Sequence, residues 1–274
     1  MKSIRQHLQE TQLSISQISD TPRLDAELLL AHIIKQDRTY LFSHSDEALS
    51  NVQSEQLKRL TQRRMEGVPV AYLLGQREFY GLTLEVSPAV LVPRPETEHL
   101  VDIALSKVPN DVAWQLVDLG TGSGAIALAL ASERPNCSVI ATDRSAAALA
   151  IAQRNAQNLK LKNLQFKHGS WTEALDAQYP IIVSNPPYVA ENDERLGDDS
   201  LRHEPRIALT PGNDGYTAIK AIVNGATKHL FNKGWLMLEH GNEQASRVRN
   251  ELRHAGFQNI ESQRDLAGHE RVTL

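Results

Sequence analysis

Residues 115–131 read QLVDLGTGSGAIALALA: a short apolar strand pattern, a turn carrying Gly120, Gly122 and Gly124, and an apolar helical run that follows without a break. Glycines at such a junction let the backbone bend sharply and pass close to a ligand, because no Cβ stands in the way. The amino-terminal end of the following helix then faces that ligand. Strand, glycine turn and helix in this order open a doubly wound α/β sheet of the Rossmann-like kind.

Downstream the alternation repeats: SVIATD and a helix over 146–158, LQFKH, YPIIVS, a helix near 216–231, WLMLE, and a helix near 243–255. Short apolar strands separated by helical patterns predict a mostly parallel sheet covered on both faces, with right-handed crossovers. The helix after the glycine turn is expected over 123–134. The last segments, near Ile260 and over 270–274, have no helix between them and predict an antiparallel pair at the sheet edge. Upstream, Phe79, Leu82, Leu84 and Val86 alternate around Gly81, which predicts a β-hairpin. LVPRPETEHLVDIAL predicts a helix starting near Pro95. Residues 1–75 carry apolar stripes at helical spacing, such as Leu24, Leu28 and Ile33, and predict a small bundle. In it Thr21 is the expected N-cap of the second helix, Pro22 its first residue, and Gly67 and Pro69 the break after the fourth. The expected domains are therefore a helical amino-terminal domain over 1–75, a hairpin linker over 76–92 and a catalytic α/β domain over 93–274.

The 274 residues carry 29 Lys and Arg against 33 Asp and Glu, a formal net charge of −4. That balance argues against binding polyanions by bulk charge. No apolar stretch approaches the ~20 residues a bilayer crossing needs. MKSIRQHLQE lacks the apolar segment of a secretory leader, so a cytoplasmic location is expected. A single cysteine, Cys137, excludes an intrachain disulfide and a zinc site built on paired cysteines. The histidines show no recognised ligand spacing, and no metal is expected.

Two ligand classes fit the glycine turn. Gly120-x-Gly122-x-x-Ala125, with Asp143 at the end of the next strand, also satisfies a dinucleotide pattern, so NAD and S-adenosylmethionine both remain open at this point. Asp143 sits where a carboxylate can accept ribose hydroxyls; alternatively Asp143 or Ser145 caps the helix that starts at Ala146.

Asn185-Pro186-Pro187-Tyr188 directly follows the strand YPIIVS, across the expected cleft from the glycine turn. Two consecutive prolines fix φ twice and remove two N–H donors, which leaves a stiff turn rich in acceptors. A planar –NH2 group conjugated to a carbonyl or a ring needs two acceptors. The Asn185 side-chain oxygen and the Pro186 carbonyl supply them, while Tyr188 packs on the planar face. The matching electrophile is the sulfonium methyl of S-adenosylmethionine, and catalysis is then mainly positioning.

The chain resembles the peptide chain release factor glutamine N5-methyltransferases, also called HemK-like methyltransferases. The resemblance spans nearly the whole length through REFYGLTLEVSPAVLVPRPETE, VDLGTGSGAIALALA, VSNPPYV, RHEPRIAL, LEHG and ERVTL. It implies methyl transfer to the side-chain amide of the glutamine in the Gly-Gly-Gln loop of bacterial class-one release factors. By the same resemblance Gly120, Thr121, Gly122, Ser123 and Gly124 line the methionine and ribose part of the cofactor. Asp143 binds the ribose, Trp171 lies against the adenine, and Asn185, Pro186, Pro187 and Tyr188 hold the substrate glutamine, Asn185 also bordering the cofactor. The chain departs from relatives in carrying Ser170 where many have an acid just before the aromatic residue. Arg94 is either a cleft residue or an ion-pair partner of Glu96 or Glu98, and His203-Glu204 either loop structure or substrate contact. A nucleic-acid amino methyltransferase acting on adenine or guanine is the nearest rival, and an NAD-dependent oxidoreductase or a noncatalytic S-adenosylmethionine sensor the more distant ones. Nothing in the sequence demands nucleic acid, a membrane or more than a monomer.

Overall fold

The computed structural model describes residues 2–198 and 201–274. The chain divides into two compact units, Met1–Gln76 with Gly197–His203 and Arg77–Leu196 with Glu204–Leu274.

The first unit holds α1 (Ile4–Ser14), α2 (Pro22–Ile34), α3 (Arg38–Ser43), α4 (Asn51–Met65) and α5 (Val70–Leu74). Ser3 and Ser50 open α1 and α4 with reciprocal capping boxes, in which Gln6 and Gln53 return a side-chain oxygen to the cap's own N–H. Pro22 opens α2, but the Thr21 hydroxyl makes no cap and faces Asp25 at 3.5 Å instead. Gly67 and Pro69 fall in the break between α4 and α5, as expected, and Pro69 serves as N-cap of the short helix α5, its fixed φ suiting the entry to a helix. Leu29, Leu30, Leu41 and Leu57 form the buried stripe. The buried carboxylates beside it are neutralised in place, Asp25 by Arg64 and Glu27 by Arg23 and Arg38. Arg202 and His203 both bond the carbonyl of Glu66 at the end of α4, His203 at 2.9 Å, so His203 serves the structure of its own unit.

The second unit begins at Arg77 within β1 (Gln76–Phe79), which pairs with β2 (Leu82–Glu85) as a two-stranded sheet. There follow α6 (Thr97–Lys107), β3 (Gln115–Leu119), α7 (Ala125–Glu133), β4 (Ser138–Asp143), α8 (Ala146–Asn158), β5 (Leu164–His168) and β6 (Tyr179–Ser184). After these come α9 (Arg206–Leu209), α10 (Thr217–His229), β7 (Leu230–Glu239), α11 (Ala245–His254), β8 (Ser262–Arg264) and β9 (Glu270–Thr273). The seven-stranded sheet has the order β5-β4-β3-β6-β7-β9-β8. Strands β3 to β7 pair in parallel, while β9 runs antiparallel to both β7 and β8. Alternate residues of each central strand go to opposite faces, as the two-residue period requires. Leu116, Val139, Ala141, Ile181 and Val183 pack with α6 and α7 on one side. Val117, Leu119, Ile140 and Ile182 pack with α10 and α11 on the other.

Three boundaries differ from the periodicity. The α6 helix starts at Thr97 rather than Pro95, because the N–H groups of Thr97 and Glu98 reach carbonyls only three residues back and form a turn first. The α7 helix starts at Ala125 rather than Ser123, because Gly124 is left-handed at φ +88. The α10 helix ends at His229, where Leu230 enters β7. Among the described residues no helix is long and apolar enough to cross a membrane.

Candidate functional site

The chain runs from β3 to β4 on one side and later places β6 on the other, so the strand order reverses at β3. Open parallel sheets bind ligands at such a point, beyond the carboxyl ends of the strands. A cavity of about 280 Å3 lies there, and its wall includes Gly120, Thr121, Gly122, Ser123, Asp143, Trp171, Asn185 and Pro187. Of the residues singled out in the sequence, Gly124, Ser170, Pro186, Tyr188, His203 and Glu204 are not part of this wall.

The glycine turn is held from below and from the side. Below, Asp118 is buried within β3 and accepts the Thr121 hydroxyl at 2.6 Å and the Ala127 N–H at 3.2 Å. Burial pushes its carboxyl up to about 7, against the pull of those two hydrogen bonds. Its second oxygen, Oδ1, is buried without a partner. From the side, the N–H groups of Gly120 and Thr121 both reach the carbonyl of Thr142 at 2.9 Å. Asp143 then accepts Gly122 N–H at 2.9 Å through one oxygen and Ser145 N–H at 2.8 Å through the other. The N-cap of α8 is Ser145, whose hydroxyl accepts Ala148 N–H, so Asp143 is left to brace the turn and to line the cavity.

Trp171 lines the cavity and packs against the core on the α10 side. Its backbone is left-handed at φ +49, and its carbonyl accepts the Thr142 hydroxyl at 3.2 Å. Ser170 instead caps the short turn at Trp171–Ala174 in a box with Glu173, and it does not line the cavity.

At the end of β6 the Asn185 Nδ2 donates to the Thr97 hydroxyl oxygen at 2.9 Å, while Asn185 borders the cavity. Tyr188 turns away from the wall, and its hydroxyl donates to Glu239 Oε1 at 3.4 Å. The Tyr188 carbonyl also accepts the Gln244 amide at 3.0 Å, which ties the end of the turn to the loop before α11. Glu239 is 2% exposed at the end of β7, its Oε2 is buried without a partner, and burial pushes its carboxyl up to about 7 against the hydrogen bond from Tyr188.

Facing the glycine turn, Arg94 lines the cavity and pairs with neither Glu96 nor Glu98 but with Glu204. Glu204 is buried and also accepts Val92 N–H at 2.9 Å. This one carboxylate fastens the segment that carries Pro205, Ile207, Ala208 and Thr210 of the wall to residues 92–94. Glu98 accepts Tyr80 N–H instead. Asp118, Thr97 and Glu239 were not singled out from the sequence as site residues; the signal available for Asp118 and Glu239 was a lone carboxylate inside the otherwise apolar strands QLVDL and WLMLE.

A doubly wound sheet of this order, with a glycine turn and a proline-stiffened acceptor turn at one switch-point cavity, is that of a Rossmann-like class I methyltransferase. Residues 99–204 match the methyltransferase small domain, and residues 6–75 match the PrmC N-terminal domain. Among solved structures, the T. thermophilus 16S rRNA N2 G1207 methyltransferase in complex with AdoMet and guanosine shares the fold. Its TM-score is 0.53 and its identity 22%, over 72% of this chain and 48% of that one. Among curated relatives, the release factor glutamine methyltransferase of Coxiella burnetii is 46% identical over 100% of this chain and 99% of its own length. That of Escherichia coli is 45% identical over 98% of this chain and 97% of its own. The chain belongs to the release factor glutamine methyltransferase family.

Proposed function

We propose that this chain methylates the side-chain amide nitrogen of the glutamine in the Gly-Gly-Gln motif of bacterial class-one release factors, with S-adenosylmethionine as the donor. The observation that carries the reading is the meeting of a glycine turn and an Asn-Pro-Pro turn on one cavity wall, in a chain whose full-length relatives are named release factor glutamine methyltransferase. The residues present fit the donor. Gly120, Gly122 and Gly124 all adopt positive φ, and the unpartnered Oδ1 of Asp118 lies in the strand beneath their turn. When bound, the donor supplies an electrophilic methyl carbon on a sulfonium.

Asp143 accepts the ribose hydroxyls through the lone pairs its two backbone contacts leave free, and Trp171 borders the adenine. Asn185 Oδ1 accepts one substrate N–H and the Pro186 carbonyl the other, and Pro187 closes the wall. With both N–H groups held, the nitrogen lone pair faces the cavity. Alignment of this kind can supply ~7–11 kcal/mol in favourable cases. The proton that nitrogen loses leaves to water.

The same proposal assigns residues 1–75 to recognition of the protein substrate, 76–92 to a linker and 93–274 to methyl transfer. The solvent-facing Leu13, Phe42, Val52 and Met65 of the first unit support a protein-binding role. A cytoplasmic site of action and a monomeric state complete it. The test is intact-mass and site-mapping spectrometry of an unmethylated release factor after incubation with the protein and S-adenosylmethionine. One added methyl on the Gly-Gly-Gln glutamine is expected. An unmodified folded release factor, with the donor demonstrably bound, would move the search to other acceptors.

A further inference from the structure

Pro186 and Pro187 carry no backbone N–H, so the middle of the acceptor turn has no amide of its own with which to bond itself in place. With φ fixed at both residues the turn behaves as a stiff piece, and its position is set at its ends. The front end is β6, where Ser184 pairs with Leu119 on one side and Leu238 on the other.

The back end is the peptide group between Tyr188 and Val189, and it is held on both sides. Its N–H donates to the Leu209 carbonyl at 3.0 Å. Its carbonyl oxygen accepts Nε2 of Gln244 at 3.0 Å, and the same Nε2 reaches the Gly215 carbonyl at 3.4 Å. The two backbones run so close that a Cβ at Gly215 would overlap the Tyr188 carbonyl oxygen.

The partners fix which way round the Gln244 amide stands. Gly241 N–H, at 2.9 Å, can only donate and so takes Oε1. The carbonyls of Tyr188 and Gly215 can only accept and so take Nε2. All three are backbone groups, so neither a protonation state nor a hydroxyl rotor can turn the amide over. Gln244, at the N-cap of α11, thus joins the acceptor turn to the chain entering α10 and to the loop leaving β7. It is not part of the cavity wall, and it reaches the site only through the turn.

We propose that Gln244 is a positioning residue for methyl transfer: its Nε2 fixes the Tyr188–Val189 peptide, and through the stiff Pro186-Pro187 segment that sets where the Pro186 carbonyl meets the acceptor amide. The inference rests on the reading that this turn grips the substrate glutamine.

Gln244→Glu separates this role from a local one in shaping the loop. It keeps the side chain's size and the oxygen that accepts Gly241 N–H, and puts in place of the donor an oxygen that two carbonyls repel. At about pH 8, where an ordinary carboxyl is ionised, kcat is expected to fall ~10- to 100-fold, the scale of a displacement of about 1 Å at the reacting atoms. The dissociation constant for S-adenosylmethionine, measured by calorimetry, is expected to stay within about twofold. A side chain that serves only the loop predicts near wild-type turnover for this variant. A second readout needs no turnover: hydrogen exchange of the Val189 amide, which belongs to the clamped peptide, should quicken by at least about tenfold in Gln244→Glu while the β3 amides exchange as in the wild type. Gln244→Leu carries both measurements if Gln244→Glu does not fold. Wild-type kcat in the folded variant, unchanged Val189 exchange, or a fall in turnover matched by an equal loss of donor affinity overturns the proposal. A wild-type protein that leaves the release factor unmethylated overturns the function reading instead, and Val189 exchange still decides whether Gln244 holds the turn.

Discussion

Replacing Gly122 by alanine separates the cavity wall from the fabric that supports it. Gly122 is left-handed at φ +57, and a Cβ built there meets nothing within 4 Å. The protein interior therefore does not resist the methyl, and the stability cost is that of the backbone alone, about 1–2 kcal/mol for a residue forced into that region. For a unit of this size that corresponds to roughly 2–8 °C in Tm. Gly122 nonetheless forms the wall where the proposed function seats the donor, and its N–H is held by the Asp143 carboxylate. The expected result is a dissociation constant for S-adenosylmethionine raised by at least about tenfold, or ~1.4 kcal/mol. Gly124→Ala gives the contrast. Its φ is +88, and its Cβ would lie 2.8 Å from Leu128 Cδ1 and 3.2 Å from the Ala152 Cβ. Backbone strain and overpacking then add, for about 2–5 kcal/mol of lost stability. Calorimetric titration and thermal unfolding of both variants read the two effects apart. A folded Gly122→Ala protein that binds the donor as wild type does would refute the assignment of this turn as the cofactor cradle.

Asn185→Ala should leave donor affinity largely in place and lower turnover by more than about tenfold, since the contacts it removes are chiefly those to the acceptor; single-turnover kinetics beside calorimetry reads this, and unchanged turnover would take Asn185 out of the mechanism. Arg94→Met leaves the buried Glu204 without its cation. Because the Arg94 side chain is 34% exposed, solvent screens part of the pair, and a loss of about 1–3 kcal/mol in denaturant unfolding is expected together with weaker donor binding. The carboxyls of Asp118 and Glu239, both raised by burial to about 7 from 3.8 and 4.5, keep protons in the folded state that the unfolded chain gives up. Their contribution to stability is therefore full below about pH 4 and is lost as pH rises through about 7. Asp118→Asn should flatten the decline of Tm between about pH 5 and about pH 8, and an unaltered slope would count against a proton held there.

The parallel sheet was legible because its determinants are local. The run SVIATD followed by Ser145 and an apolar stripe predicts a helix over 146–158, and α8 occupies those residues with Ser145 as its cap. The ends of α6 and α7 were less so, since a proline or glycine in the sequence marks a turn without saying how many residues the turn consumes. At the site, the glycine turn and Asn185 were readable as chemistry in short motifs. Their supports were not. Arg94 finds Glu204 across 110 residues of chain, and Asn185 finds Thr97 across 88. No local pattern distinguishes Glu204 from Glu96 or Glu98 as the partner; only the folded path of the chain does. Tyr188 shows the same limit: its place in the motif is local, but its hydroxyl's partner, Glu239, lies 51 residues further along the chain.

The two sides of the cavity differ in how they are fastened. Backbone amides of Gly120, Thr121, Gly122 and Ser145 stitch the β3 and β4 side, each to an acceptor at the end of β4. On the opposite side the Glu204 carboxylate joins Val92 and Arg94 to the segment that follows it, and the Val189 N–H donates to the Leu209 carbonyl. The first side is therefore largely a backbone construction that side-chain substitution barely reaches, whereas the second draws part of its hold from one buried carboxylate and is open to change by a single replacement.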